Sequence, residues 1–263
     1  MTTQVITITS GKGGVGKTTA TANLGAALAQ LGRRVVCIDA DVGLRNLDLV
    51  MGLENRIVYD LVDVVEGRCK LRQAMIRDKR IKGLFLLPAA QTRDKTAVSP
   101  SDMVLICDEL RRKYDFVLVD SPAGIERGFR NAIAPADQVI IVTNPEVASV
   151  RDSDRIIGLL EADGKEVPSL IINRLKPEMV AQEKMLGIGD VLEVLMIDLI
   201  GIVPEDEQVL VATNQGQPVV LANNSLAGQA FRNIGRRIIG EEVPFISFER
   251  PRGWRGWLKR LWS

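Results

Sequence analysis

Seven short apolar runs punctuate the chain: VITIT (5–9), RVVCID (34–39), LFLLP (84–88), FVLVD (116–120), QVIIVT (138–143), SLIIN (169–173) and LIGIVP (199–204). Most are apolar at successive rather than alternate positions, as expected of strands covered on both faces of a parallel sheet. Between them the apolar residues recur with helical spacing near 17–31, 99–113, 147–163 and 225–239. Strands alternating with helices predict an α/β architecture: a doubly wound, mainly parallel sheet with helices on both faces, its ligand at the carboxyl ends of the strands. No Pro/Ser-rich linker, repeat or low-complexity block interrupts the pattern. Residues 1–249 therefore read as one domain and residues 250–263 as a tail.

Composition narrows the chemistry. The 263 residues are 46% hydrophobic and 25% charged, values of an ordinary globular protein. Histidine is absent, so no imidazole serves as base, proton shuttle or metal ligand. Cys37, Cys69 and Cys107 are far apart in sequence, which argues against structural zinc or a disulfide framework and fits a reducing cytosol. No apolar run reaches the ~18–20 residues needed to cross a bilayer. Met1 precedes the first strand by a few residues, too few for a signal or transit peptide. A cytoplasmic protein is the expectation.

The net charge of +1 conceals an asymmetry. Of 34 basic residues, five (Arg250, Arg252, Arg255, Lys259, Arg260) lie in the last fourteen positions with no acid, leaving 29 against 33 acids in the body. All three tryptophans share that tail. Wound as a helix, it puts Trp254, Trp257, Leu258, Leu261 and Trp262 on one arc and the basic residues, Lys259 among them, on the other. Tryptophan at a headgroup boundary with basic residues facing anionic lipid describes an interfacial helix. Docking on the body or in a partner's groove competes with that reading, but docking on the body gives the basic patch little purpose.

The stretch GKGGVGKTT fits the phosphate-loop pattern G-x-x-x-x-G-K-[ST], with a strand before it and a helix after. Gly11, Gly13, Gly14 and Gly16 let successive N–H groups, those of Val15 and Thr19 included, turn toward phosphate oxygens. Lys17 would reach the β and γ phosphates, and the Thr18 hydroxyl would ligate Mg²⁺. Asp39, Asp41 and Asp120 stand where strands should end, beside that loop. Carboxylates there hold Mg²⁺ waters or orient an attacking water; a helix cap is the alternative use.

A lysine directly after the first glycine, in KGGVGKTT, resembles the deviant Walker A signature of the ParA/MinD family of P-loop ATPases. IDADVGLRNLDLVMGL (38–53), DSPAGIE (120–126), TNPEVASVRDSDRI (143–156), IINR (171–174) and IVPED (202–206) extend the likeness along the chain. The resemblance implies a P-loop NTPase fold that binds ATP and Mg²⁺ and dimerises face to face around two nucleotides. It assigns Lys12 to the partner's phosphates in trans, so that hydrolysis is slow without a partner. It gives Asp41 the attacking water, Asp39 and Asp120 support of Mg²⁺ through water, and Asn173 with Pro204, Glu205 and Asp206 the adenine and ribose. Lys12, Lys17 and Asp41 are thus the implied catalytic set. On the septum-placing branch, the resemblance further implies a homodimer on the anionic inner face of the cell membrane, or in a plastid stroma. There it recruits a MinC-type inhibitor and answers a MinE-type activator, with partners touching the surface around 147–163.

Two other functions share the fold. A ParA-type DNA partition ATPase needs a broad basic surface, and the body is acidic by count, so no nucleic acid is expected. An iron–sulfur carrier needs cysteines that bridge a cluster, and these three are not placed as a set.

Overall fold

The computed structural model describes residues 3–246. The tail readings at Trp254, Trp257, Leu258, Lys259, Leu261 and Trp262 lie outside the described residues. Eight strands, β1 (Gln4–Thr9), β2 (Val35–Asp39), β3 (Ile76–Arg77), β4 (Leu84–Leu87), β5 (Phe116–Asp120), β6 (Gln138–Thr143), β7 (Ser169–Leu175) and β8 (Leu199–Pro204), form one sheet. Its order is β3-β4-β2-β5-β1-β6-β7-β8, parallel except for the β3–β4 pair. Every strand expected from the apolar runs is present. The two-residue β3 was not foreseen, being too short for a period to show.

The helices are α1 (Lys17–Gln30), α2 (Leu47–Met51), α3 (Leu61–Val65), α4 (Leu71–Ala74), α5 (Pro100–Arg111), α6 (Arg127–Ile133), α7 (Val147–Ala162), α8 (Pro177–Val180), α9 (Ile188–Leu195), α10 (Glu207–Asn214) and α11 (Leu226–Ile238). The four long ones, α1, α5, α7 and α11, match the expected windows to within two residues at each end. The other seven span four to eight residues, about two turns or fewer, where a 3.6-residue period cannot be read.

Both faces of the sheet are buried because neighbouring strand residues point to opposite sides. Val35, Cys37, Leu84, Leu86 and Leu118 pack beneath α1, with α2 and α11 in the same cluster. Val36, Ile38, Val117 and Val119 pack beneath α3 and α5. Farther along the sheet, Ile141, Leu170 and Ile172 meet α6, α7 and α9. Helix α1 packs closely on the sheet and on α11, its neighbour on the same face, which explains its run of small residues. A Cβ on Gly25 would come within 2.4 Å of Cys37 Sγ, and one on Gly235 of α11 within 3.0 Å of Ala27.

Candidate functional site

The loop joining β1 to α1 sits at the carboxyl edge of the sheet, where three further strands deliver their ends. Gly14 (φ 79°) and Gly16 (φ 99°) take left-handed conformations that turn the main chain around an open concavity. Helix α1 starts immediately after, so its unpaired N–H groups and positive end face the same space. The loop is anchored on three sides. Asn173 of β7 donates its side-chain N–H to Val15 O at 2.7 Å, and a Cβ on Gly16 would strike that amide at 2.4 Å. Gly124 N–H donates to Ser10 O at 3.2 Å, tying in the segment after β5. A Cβ on Gly11 would meet the Asp152 main chain at 2.4 Å, so α7 closes the third side.

Lys17 is only 8% exposed. Beside it Asp39 and Asp120 lie opposite each other on adjacent strands, both buried. Thr21 donates its hydroxyl to Asp120 Oδ1 at 3.2 Å, and Thr18 is a second hydrogen-bond partner. Burial, and then the charge of Asp120, push the Asp39 carboxyl up to about 7. Burial likewise holds Asp120 up at about 6, against the pull of Lys17, Thr18 and Thr21. Two buried carboxylates thus crowd together, of which Asp120 alone feels Lys17, with Asp41 close enough to add its own repulsion to both. A divalent cation would offset that surplus, so the donor set fits Mg²⁺ with Thr18 as the hydroxyl ligand.

Asp39 Oδ1 accepts the Asp41 N–H at 3.0 Å, and Oδ2 accepts those of Asn46 and Leu47 at 3.1 Å each. Those bonds make it the anchor of the loop leading into α2, so the cap reading is realised as well. A role toward metal is then indirect, through water. Asp41 is half-buried on the same loop. Asp206 spends Oδ1 on Gln208 N–H and Oδ2 on the Ser225 hydroxyl and Ala227 N–H. Burial opposes its charge, yet those donors outweigh it and hold the carboxyl below its ordinary value. Glu205 is exposed, and its Oε2 lies 3.9 Å from Arg174 Nε. Pro204 ends β8, paired with Leu175. All four expected base-side residues therefore reach the loop's edge of the sheet, but Asn173 and Asp206 have structural bonds to keep there.

Lys12 pairs outside the loop: its Nζ lies 3.4 Å from Oε2 of Glu146, the residue just before α7, with the two side chains 46% and 52% exposed. An ion pair so exposed is worth at most about 1 kcal/mol, so Lys12 is held loosely. Sequence reasoning missed Glu146 and Thr21. An acid straight after Asn144–Pro145 at a strand end was the available signal for the first. The second sits one helical turn after Lys17, on the sheet-facing side.

The chain matches the model of the CobQ/CobB/MinD/ParA nucleotide binding domain over residues 6–219. It is 54% identical over 246 residues to a septum site-determining protein MinD of Synechocystis, covering 93% of this chain and 92% of that one. Among solved structures, the MinC:MinD cell division protein complex of Aquifex aeolicus aligns with a TM-score of 0.88 and 49% identity, over 94% of this chain and 100% of that one. A Pyrococcus horikoshii MinD complexed with Mg-ADP aligns with a TM-score of 0.82 and 32% identity, over 90% and 96%. Phosphate loop, sheet order and near full-length identity agree: the chain belongs to the MinD/ParA family of nucleotide-binding domains, on its septum site-determining MinD branch.

Proposed function

We propose that this protein is a Mg²⁺-dependent ATPase that dimerises on ATP, docks on an anionic membrane and carries a MinC-type division inhibitor there, so placing the septum. The observation that carries the reading is the phosphate loop set over buried Lys17, Asp39 and Asp120, in a chain 54% identical to a septum site-determining relative. The Mg-ADP of the Pyrococcus relative supports the nucleotide and the metal, and the Aquifex complex supports the inhibitor.

Main-chain N–H groups of residues 13–18 and the Lys17 ammonium take the phosphates. Thr18, backed by Asp39 and Asp120, would hold Mg²⁺, which would supply positive charge beside the phosphate oxygens. Asp41, on the loop that Asp39 braces, orients the attacking water. Lys12 leaves Glu146 and reaches the partner's phosphates, which ties full hydrolysis to the dimer. Asn173, Pro204, Glu205 and Asp206 border the base side, chiefly through main chain, since Asn173 and Asp206 use their side chains elsewhere. A MinE-type activator works on the completed dimer.

The tail supplies the membrane contact. A short interfacial segment binds reversibly by itself, whereas two on one dimer gain on the order of 10²-fold or more in avidity. ATP would then control attachment by controlling dimerisation. The test is co-sedimentation with phosphatidylglycerol vesicles, in ATP and in ADP, of the full chain and a chain ending at Glu249. Pelleting of the full chain in ATP alone, and of the shortened chain in neither nucleotide, is the expected result. Equal pelleting of the two chains would remove the tail from the mechanism.

A further inference from the structure

A small cavity of about 10 Å³ lies beside the loop that carries Asp41. One wall is Ala40, Asp41 and Val42, which follow β2; the other is Pro122, Gly128 and Asn131, on the stretch running from β5 into α6. Apolar side chains of α3 and α5 close it. Both walls are held in place. Ala40 N–H donates to Asp120 O at 3.0 Å, and Asp39 Oδ1 takes the Asp41 N–H. Gly128 lets α6 approach so closely that a Cβ there would lie 2.5 Å from Pro122 Cγ. Thr7 of β1 donates its hydroxyl to Ala132 O at 2.7 Å, which seats α6 on the sheet.

Asn131 is the unexpected member of that lining. It is 4% exposed, in a helix whose other buried residues, Phe129, Ala132 and Ile133, are apolar. A polar side chain so placed is costly unless its donors and acceptors are used. The donor is used: the side-chain N–H bonds Val98 O at 2.7 Å, in the segment leading into α5. The acceptor is not. Oδ1 is shut off from solvent and receives no hydrogen bond from any described residue. Holding Val98 accounts for the donor and leaves the acceptor unexplained. On the facing wall, Asp41 also has its Oδ1 buried. Two acceptor oxygens are joined by a group that donates twice, and a volume of this size is about the least that admits one water.

We propose that Asn131 is a positioning residue for Asp41, acting through one buried water that donates one hydrogen to Asn131 Oδ1 and the other to the Asp41 carboxylate. This role rests on the reading of Asp41 as the group that orients the attacking water. Asp39 braces Asp41 through its main chain; the buried water fixes the rotation of its side chain, with α6 as the support. A misplacement of about 1 Å in such a group costs on the order of 10²-fold in rate. The phosphate loop and Lys17 are not part of the cavity, so the effect falls on hydrolysis and spares nucleotide affinity.

The test is single-turnover hydrolysis of ATP by the full chain and by two variants. Asn131→Leu removes the acceptor and, with it, the bond to Val98. Val98→Ile adds one methylene to the lining and keeps both Asn131 and the carbonyl it holds, so it displaces the water without touching the structural bond. Each should slow hydrolysis by about ten-fold or more, while affinity for a fluorescent ATP analogue stays within about two-fold of the parent. In an Asp41→Ala background neither should slow the residual rate by more than about two-fold, because the group they position is gone. Val98→Ile at the parent's rate would overturn the proposal and leave Asn131 a structural tie to Val98. Losses that persist undiminished without Asp41, or that fall equally on nucleotide affinity, would overturn it too. If thermal unfolding shows Asn131→Leu to be unfolded, Val98→Ile decides alone. Asp41→Ala hydrolysing as fast as the parent would instead defeat the reading of Asp41 itself.

Discussion

Lys12 and Lys17 are five positions apart and serve different masters. Lys17 is buried and faces the Asp120 carboxylate, so its charge is fixed where phosphate will lie. Lys12 is exposed and loosely paired with Glu146, so its charge is available elsewhere. Lys12→Ala should retain nucleotide binding yet lose activator-stimulated hydrolysis by on the order of 10²-fold or more, the scale of a charge supplied in trans. Steady-state turnover with and without a MinE-type activator checks this; unchanged stimulation would refute the in-trans role. The carboxylates carry a pH signature. With Asp39 raised to about 7 and Asp120 to about 6, the folded nucleotide-free protein holds protons that the unfolded chain releases near pH ~4. Their contribution is therefore complete at acid pH and lost as pH rises through the raised values. The unfolding temperature should fall between about pH 5 and about pH 8, and less steeply with Mg²⁺ and nucleotide, whose charge offsets the pair. A flat profile without nucleotide would contradict the picture.

At the scale of elements, some boundaries were legible and others were not. Ser99-Pro100-Ser101-Asp102 announces α5: Ser99 Oγ accepts the Asp102 N–H at 3.3 Å, Asp102 returns a bond to Ser99 N–H at 2.9 Å, and Pro100 occupies the first turn. Ser99→Ala should cost about 1 kcal/mol in urea unfolding. Gly201 announces nothing. In β8 it leaves the space into which Ile234 of α11 fits, and a Cβ would lie 2.3 Å from Ile234 Cδ1. Gly201→Ala should cost about 1–3 kcal/mol, because both partners are locked in a packed core. A loss below that of Ser99→Ala would show the interface to be more compliant than its geometry suggests.

For the whole molecule, the described body closes its own core. Helix α11 covers α1, and Arg237 holds the chain at Val243 and Pro244. A chain ending at Glu249 should therefore unfold within a degree or two of the full chain and bind nucleotide equally well; one melting several degrees lower would make the tail part of the fold. Among the described residues no helix is long and apolar enough to cross a membrane.

The sequence by itself determined seven of the eight strands, the four long helices, the phosphate loop and the acids at strand ends. These are local: a buried parallel strand needs an unbroken apolar run, a phosphate loop needs glycines at set spacing, and both are written in consecutive residues. The tertiary structure alone decided which distant residues meet. Asn173 lies 158 residues from the Val15 carbonyl it holds, and Glu146 lies 134 from Lys12. Asp39 and Asp120 repel only because the sheet order sets β2 beside β5 and buries them together. Pairing across a doubly wound sheet is set by the burial of whole strands and helices, and no run of neighbouring residues records it.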